Sequence, residues 1–239
     1  MRKPFGSSAL FRRPRSESSG RCTLDVINGL LPYILPGALV TLEITVGAWL
    51  VSAVLGLLLA VLRDTRKPLI TLPVTASIEI IRAVPQLIVL YIIFFGLGTV
   101  GVNVDSLAAA IVGLGVADAV FSAEYYRAGF LTVAHTQRDA GLSLGFTPFQ
   151  VMRFVIIPQT IPFVVPPLLN SFVGLMKSAT LASAVGAPEL LYGGRNYMET
   201  TGQVGPAAAV IMGLYIIATI PLTRVVKVLE LRVRARSRA

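Results

Sequence analysis

The ionisable side chains that interrupt apolar stretches are the residues of this sequence with chemistry to do: Glu79, Arg82, Asp118, Glu124, Arg127 and Lys177. A charge inside hydrocarbon is costly, so each needs a partner, a watery path or a ligand. Glu79 and Arg82 stand three positions apart and would share a helix face, which makes an ion pair available. A structural pair at a helix end near the cytoplasmic interface is the expectation there, with substrate contact the alternative. Glu124 and Arg127 repeat the spacing, and a structural or gate-related pair is the expectation for them. Asp118 has no opposite charge one turn away on its own element. It lines water, meets Lys177 from another element, or contacts a cationic group of a solute. Lys177 follows a charge-free run and suits snorkelling to an interface equally well. Metal and disulfide chemistry have little to work with, since Cys22 is the one cysteine and His135 the one histidine. No nucleophile and base stand out as an enzymatic pair. His135 reads as a loop residue, and Phe94, Phe95, Tyr125 and Tyr126 as packing aromatics before pathway lining.

The elements that must position these groups are apolar helices. Of 239 residues, 54% are hydrophobic and 14% charged, and the mean hydropathy is +0.75, which argues against a soluble domain. A bilayer core of roughly 30 Å takes about 20 helical residues, so the chain has room for four to six crossings and for no separate enzyme domain. We expect five: Ile44 to Leu62, with apolar character running back past Pro36; one long span from about Thr71 to Leu97, kinked at Pro85; Leu107 to Phe130; a proline-interrupted span beginning near Ile161 and ending at Met176; and Thr200 to Thr223. For the second, the alternative is a separate interfacial helix over Leu69 to Arg82 followed by a shorter span. Gly56 and Ala60 form a small-x-x-x-small pair suited to helix packing, and Glu43 marks the outer end of the first span.

The net charge of +9 does not indicate nucleic acid, because the basic residues lie at the ends and in short connections. Arg2, Lys3, Arg12, Arg13, Arg15 and Arg21 precede the spans, and Arg224, Lys227, Arg232, Arg234, Arg236 and Arg238 end the chain. The basic connections at 63–68 and 127–153 and the basic C-terminal tail are expected in the cytoplasm. With five crossings the N-terminal tail is then external despite its charge. That tail lacks a continuous apolar run of the signal-peptide kind.

Between the third and fourth spans runs Thr136-Gln137-Arg138-Asp139-Ala140-Gly141-Leu142-Ser143-Leu144-Gly145-Phe146-Thr147-Pro148. It predicts a short helix from about Arg138 to Leu144, stopped by Gly145, with Pro148 opening the next element. Its small face at Ala140 and Gly141, edged by Asp139, would let another protein approach closely. From composition alone, a plain connecting loop is the more economical reading.

Spacing changes that balance. Asp139-Ala140-Gly141, then three residues, Gly145, nine residues and Val155-Ile156-Ile157-Pro158 resembles the EAA signature of ABC importer permeases. The surrounding motifs resemble the polar amino acid branch of that family: Glu79-Ile80-Ile81-Arg82-Ala83-Val84-Pro85, Ala123-Glu124-Tyr125-Tyr126-Arg127-Ala128-Gly129, Ile157-Pro158-Gln159, and Lys177 to Leu190. The match covers roughly Pro36 to Glu230. It departs from the family pattern at Asp139 for glutamate, which shortens the reach of the carboxylate, and at Gly141 for alanine, which lowers helix propensity by about 1 kcal/mol.

The resemblance implies an all-α integral membrane protein with the five-helix, MetI-like type I transmembrane domain of ABC importer permeases. That domain would occupy 26–229 between a basic N-terminal tail at 1–25 and a basic cytoplasmic C-terminal tail at 230–239. Asp139, Ala140, Gly141, Gly145 and Pro158 would form the ATPase-coupling loop of about 136–158. Glu79, Arg82, Asp118, Glu124 and Lys177 are the candidates for a substrate pathway or gate. Implied partners are ABC ATPase subunits, a second permease chain, identical or paired, and an extracytoplasmic solute-binding protein. The chain would be a multi-pass component of the cytoplasmic membrane, with its N-terminus outside and its C-terminus inside. It carries no Gly-x-x-x-x-Gly-Lys-Ser/Thr phosphate loop, so ATP and magnesium would be held by the partner ATPase and no cofactor by this chain. A carrier or channel driven by an ion gradient is the alternative from another class.

Overall fold

A computed structural model describes residues 19–65, 67–133 and 135–236; most of the basic N-terminal tail lies outside them. Helix α1 (Ser19–Asp64) is followed by α2 (Pro68–Ala83), then by α3 (Gln86–Tyr91), which continues through a π-helical turn at Ile92–Gly96 into the short α4 (Leu97–Thr99). Helix α5 (Ser106–Phe130) leads to α6 (His135–Ser143) and α7 (Pro148–Val151), and a second π-helical turn at Met152–Ile156 joins α7 to α8 (Ile157–Ser178). A 3-10 segment at Ala179–Val185 precedes α9 (Leu190–Thr201) and α10 (Val204–Arg236). Among the described residues four stretches are long and apolar enough to cross a bilayer, namely Val26–Asp64, Ser106–Phe130, Pro148–Val185 and Val204–Arg232, and the bent pair Pro68–Ala83 and Gln86–Thr99 makes five when it is counted as one span.

One span expectation is corrected and another extended. The second span is not one long helix, because α2 and the helix that follows meet at 107°. Pro85 supplies the reason: it has no N–H, and it pushes Val84 out of the helical region to φ −93°, ψ 132°. A separate helix followed by a shorter span, the alternative above, describes this region. The helical stretch that carries the fourth span begins at Pro148, before the expected start near Ile161. Pro158, Pro162, Pro166 and Pro167 were expected to break regular helix, and the departure falls at the π-helical turn, where the Ile157 N–H reaches back to the Met152 carbonyl.

The main seam of the fold is α1 against α5. A Cβ on Gly56 would lie 2.6 Å from the Ser122 Cβ, and one on Gly115 would lie 2.7 Å from Val51, so the two backbones close to a distance that only small residues permit. Ala60, four residues after Gly56, is fully buried against Phe130, Val151 and Ile156. Around Ile44, Leu90, Leu114 and Leu175 a second apolar cluster ties α1, α3, α5 and α8 together. Glu43 is exposed on α1, and the 20 residues from it to Arg63 rise about 30 Å, one hydrocarbon thickness. Preceding turns of α1 pack through Val26, Leu30 and Ile34 on α9 and α10.

Candidate functional site

Asp139 and its neighbours form a helix that projects from one end of the bundle. Helix α6 covers the expected stretch, and Gly145 ends it with φ +86°, a conformation that glycine adopts without steric cost. Thr147 then caps α7, accepting from the Gln150 N–H while the Gln150 side chain accepts from the Thr147 N–H. This reciprocal box was readable in Thr147-Pro148-Phe149-Gln150 and supplies the start signal of the next element. Asp139 and Ala140 are exposed, as is Pro158 at the start of α8. Gly141 is buried, with Val151 standing 3.0 Å from where its Cβ would be. The departure from alanine therefore lets α6 fold back closely on α7.

One ion pair links α6 to the spans. Arg138 donates to the Asp64 carboxylate at the end of α1. Its chain neighbour Arg63 turns to a different partner, donating to Glu124 of α5 at 2.5 Å. Glu124 also accepts from Arg82 of α2 at 2.8 Å and from Arg127 at 3.0 Å, and Glu79 lies 3.6 Å from Arg82. The two local pairs expected from spacing are thus one hub joining three helices, with Glu124 at its centre. Arg63, the member from α1, could not be found from spacing because its contact spans 61 positions. Arg82 also lies over the Phe121 ring, 6.0 Å from its centre.

Asp118 sits about 18 Å from the C-terminal end of α5, given 12 residues at 1.5 Å each. It is buried and accepts hydrogen bonds from Ser52 of α1 at 2.6 Å and Ser171 of α8 at 2.5 Å, while Ser122 lies 2.8 Å from Ser52. The Asp118 carboxyl on α5 is thereby held by hydroxyls from two neighbouring helices, α1 and α8, with Ser122 reaching it only through Ser52. Lys177 is not among these partners: it is exposed beside Thr219, Thr223 and Lys227 of α10. The aromatic group named above does not converge either. Phe94 packs in the cluster around Leu90 and Ala109, whereas Tyr126 packs with Phe130 and Val151.

At the other end of the bundle, Glu189 is fully buried and caps α9, its two oxygens accepting from the Leu191 and Tyr192 N–H groups at 2.8 Å each. Thr41 of α1 accepts from the Leu190 N–H at 3.0 Å. Burial pushes the Glu189 carboxyl up to about 6, the backbone N–H groups and nearby hydroxyls opposing that rise.

Comparison with known proteins agrees with this architecture. Residues 52–235 match the family described as binding-protein-dependent transport system inner membrane component. The probable glutamine ABC transporter permease protein GlnM of Bacillus subtilis (strain 168) is 37% identical over 182 residues, covering 76% of this chain and 84% of the relative. The probable amino-acid ABC transporter permease protein y4tG of Sinorhizobium fredii (strain NBRC 101917 / NGR234) is 30% identical over 218 residues, or 91% and 94% of the two chains. Among solved structures, an amino acid ABC transporter with histidines superposes with a TM-score of 0.78 at 28% identity, covering 88% of this chain and 98% of that one. The MetNI methionine ABC transporter in inward-facing form gives 0.61 at 24% identity, over 90% and 99%, a likeness of fold. By sequence over most of its length and by fold, the chain belongs to the inner-membrane permease components of binding-protein-dependent ABC transport systems.

Proposed function

We propose that the chain forms the translocation pathway of an ATP-driven importer for polar amino acids, and that it is a non-catalytic subunit whose movement is driven by partner ATPases. The amino acid class is carried by the relatives' names, and a solute-binding protein would deliver the solute on the face opposite α6. The basic end of the bundle, with Arg63, Lys67, Arg138 and Arg153, is the cytoplasmic end by the charge rule. With five crossings, this reading has the C-terminus inside and the N-terminus outside.

The observation that carries the coupling role is the continuity from α6 to the spans. Asp139 faces outward where an ATPase would dock, Arg138 beside it holds Asp64, and Arg63 next to Asp64 holds Glu124. A displacement of α6 therefore pulls on the end of α1 and, through Glu124, on α2 and α5. Since α2 meets α3 at the Val84–Pro85 break, the hub sits where two helices can change their angle. In this account Glu79, Arg82 and Glu124 act as a gate-positioning group, and Asp118 with Ser52 and Ser171 holds the spans together along the pathway wall.

The test is reconstitution with the ATPase and binding protein in proteoliposomes, followed by uptake of a panel of labelled amino acids. Uptake that needs both ATP and the binding protein is expected, and a bulky residue at Gly145 should abolish it while the protein still inserts. Uptake without ATP that follows a proton or sodium gradient would overturn the proposal.

A further inference from the structure

We propose that the cavity beside the coupling helix binds the headgroup of an anionic phospholipid. The cavity holds about 380 Å³ and is lined by Arg63, Arg127 and Arg138 against the single carboxylate of Asp64, with Thr71 and Thr75 on the α2 side. Arg63 and Arg138 are each committed to one carboxylate. Arg127 donates to Glu124 through Nε only, so among the described residues its two terminal nitrogens carry no hydrogen bond. That leaves a half-exposed guanidinium fork at the cavity wall, in the geometry that takes two phosphate oxygens.

The surroundings favour a lipid over a free anion. Phe130, Leu131, Val133 and Ile156 complete the lining, and Leu131 is two-thirds exposed. Leu69 and Leu72, on either side of Thr71 along α2, are 88% and 69% exposed. An acyl chain lying along this apolar surface would carry its phosphate directly to the arginines. Basic pockets between spans at the cytoplasmic level hold anionic headgroups by this combination of charge and apolar contact. Because the cavity wall includes both Arg138 of α6 and Arg63 of the Glu124 hub, a bound phosphate would also brace the junction between coupling helix and spans. The inference rests on the chain spanning a bilayer and not on which solute it carries.

The experiment is native mass spectrometry of the purified permease with its ATPase, after extraction from vesicles of equal phosphatidylglycerol and phosphatidylcholine. The intact complex should retain phosphatidylglycerol and not phosphatidylcholine. Thr75→Glu places a carboxylate in the cavity without touching an ion pair, and Arg127→Gln removes the guanidinium fork. Each should lower phosphatidylglycerol retention about fivefold, the effect of one unit of charge near a headgroup. Arg127→Lys, which keeps the charge, should lose less than Arg127→Gln. Equal retention in all four proteins would overturn the proposal, as would equal retention of the two lipids. Displacement of the lipid by millimolar inorganic phosphate would make this a free-anion site, and loss of lipid whenever the ATPase is bound would make it part of that interface; either result contradicts the lipid assignment.

Discussion

Arg138 at the start of α6 is ion-paired with Asp64 at the end of α1, 74 positions away in the chain. This is the one ion pair between α6 and the spans among the described residues. Both side chains are about a quarter exposed, so the pair holds more than a fully solvated one and less than a buried one. Asp64→Arg and Arg138→Asp should each lower ATP-driven uptake severalfold while ATP hydrolysis continues. The combined swap should recover part of the loss, because it restores the pair but leaves the arginine at 64 beside Arg63 and Arg127, which line the same cavity. Uptake and hydrolysis measured on the same proteoliposomes decide it, and a swap no better than either single variant would refute a direct pair.

Glu124 behaves differently because three guanidinium groups converge on it. Glu124→Gln keeps the shape and removes the charge, leaving Arg63, Arg82 and Arg127 to repel one another. The expected cost is about 2 to 3 kcal/mol of thermal stability in detergent, between the values for exposed and buried pairs. Exchanging Glu124 and Arg82 should fail to rescue, since an arginine at 124 would still face Arg63 and Arg127. Full rescue would mean that an isolated pair operates there.

Asp118 should prove indispensable to packing before it proves so to transport. Asp118→Ala leaves the Ser171 hydroxyl without its acceptor in the interior, at about 1 to 3 kcal/mol, while Ser52 keeps Ser122 as a partner. Asp118→Asn, which keeps one carbonyl oxygen, should lose less. Unfolding of the detergent-solubilised variants followed by the fluorescence of Trp49 measures both, for this side chain donates to the Leu168 carbonyl at 2.8 Å in the α1 and α8 contact.

The buried carboxyl of Glu189 predicts a pH dependence. Its folded value, about 6, lies above the ordinary 4.5, so the folded protein binds this proton more tightly than the unfolded chain. The resulting stabilisation is complete below about pH 4.5, is lost as pH rises through about 6, and is flat above; the full difference is at most about 2 kcal/mol. Subtracting the melting curve of Glu189→Gln from that of the natural protein between pH 4.5 and 7.5 isolates the effect. A difference that grows with pH would have the wrong sign.

Local signals were legible in the sequence and long-range ones were not. Gly145 and Pro148 mark the end of α6 and the start of α7 by their own backbone chemistry, and the apolar runs locate most of the spans. The break at Pro85 was visible, but its angle depends on what α2 packs against, which lies in α1 and α5. Asp118 could be recognised as a costly charge; its partners could not, because serines at 52 and 171 carry no distinguishing pattern. The same holds for Arg63, which reads as an ordinary flanking charge until the fold brings it to Glu124. Gly141 looked like a weakened helix position and is instead the point where α6 and α7 come close.

The coupling role of α6 is tested most directly by Asp139→Lys in the reconstituted importer, with uptake and ATP hydrolysis measured together. Asp139 is exposed and makes no hydrogen bond or ion pair among the described residues, so the change should leave the fold and membrane insertion intact. The account predicts that ATP-dependent uptake falls at least tenfold while the complex still carries the permease chain. Undiminished uptake by this variant would contradict it.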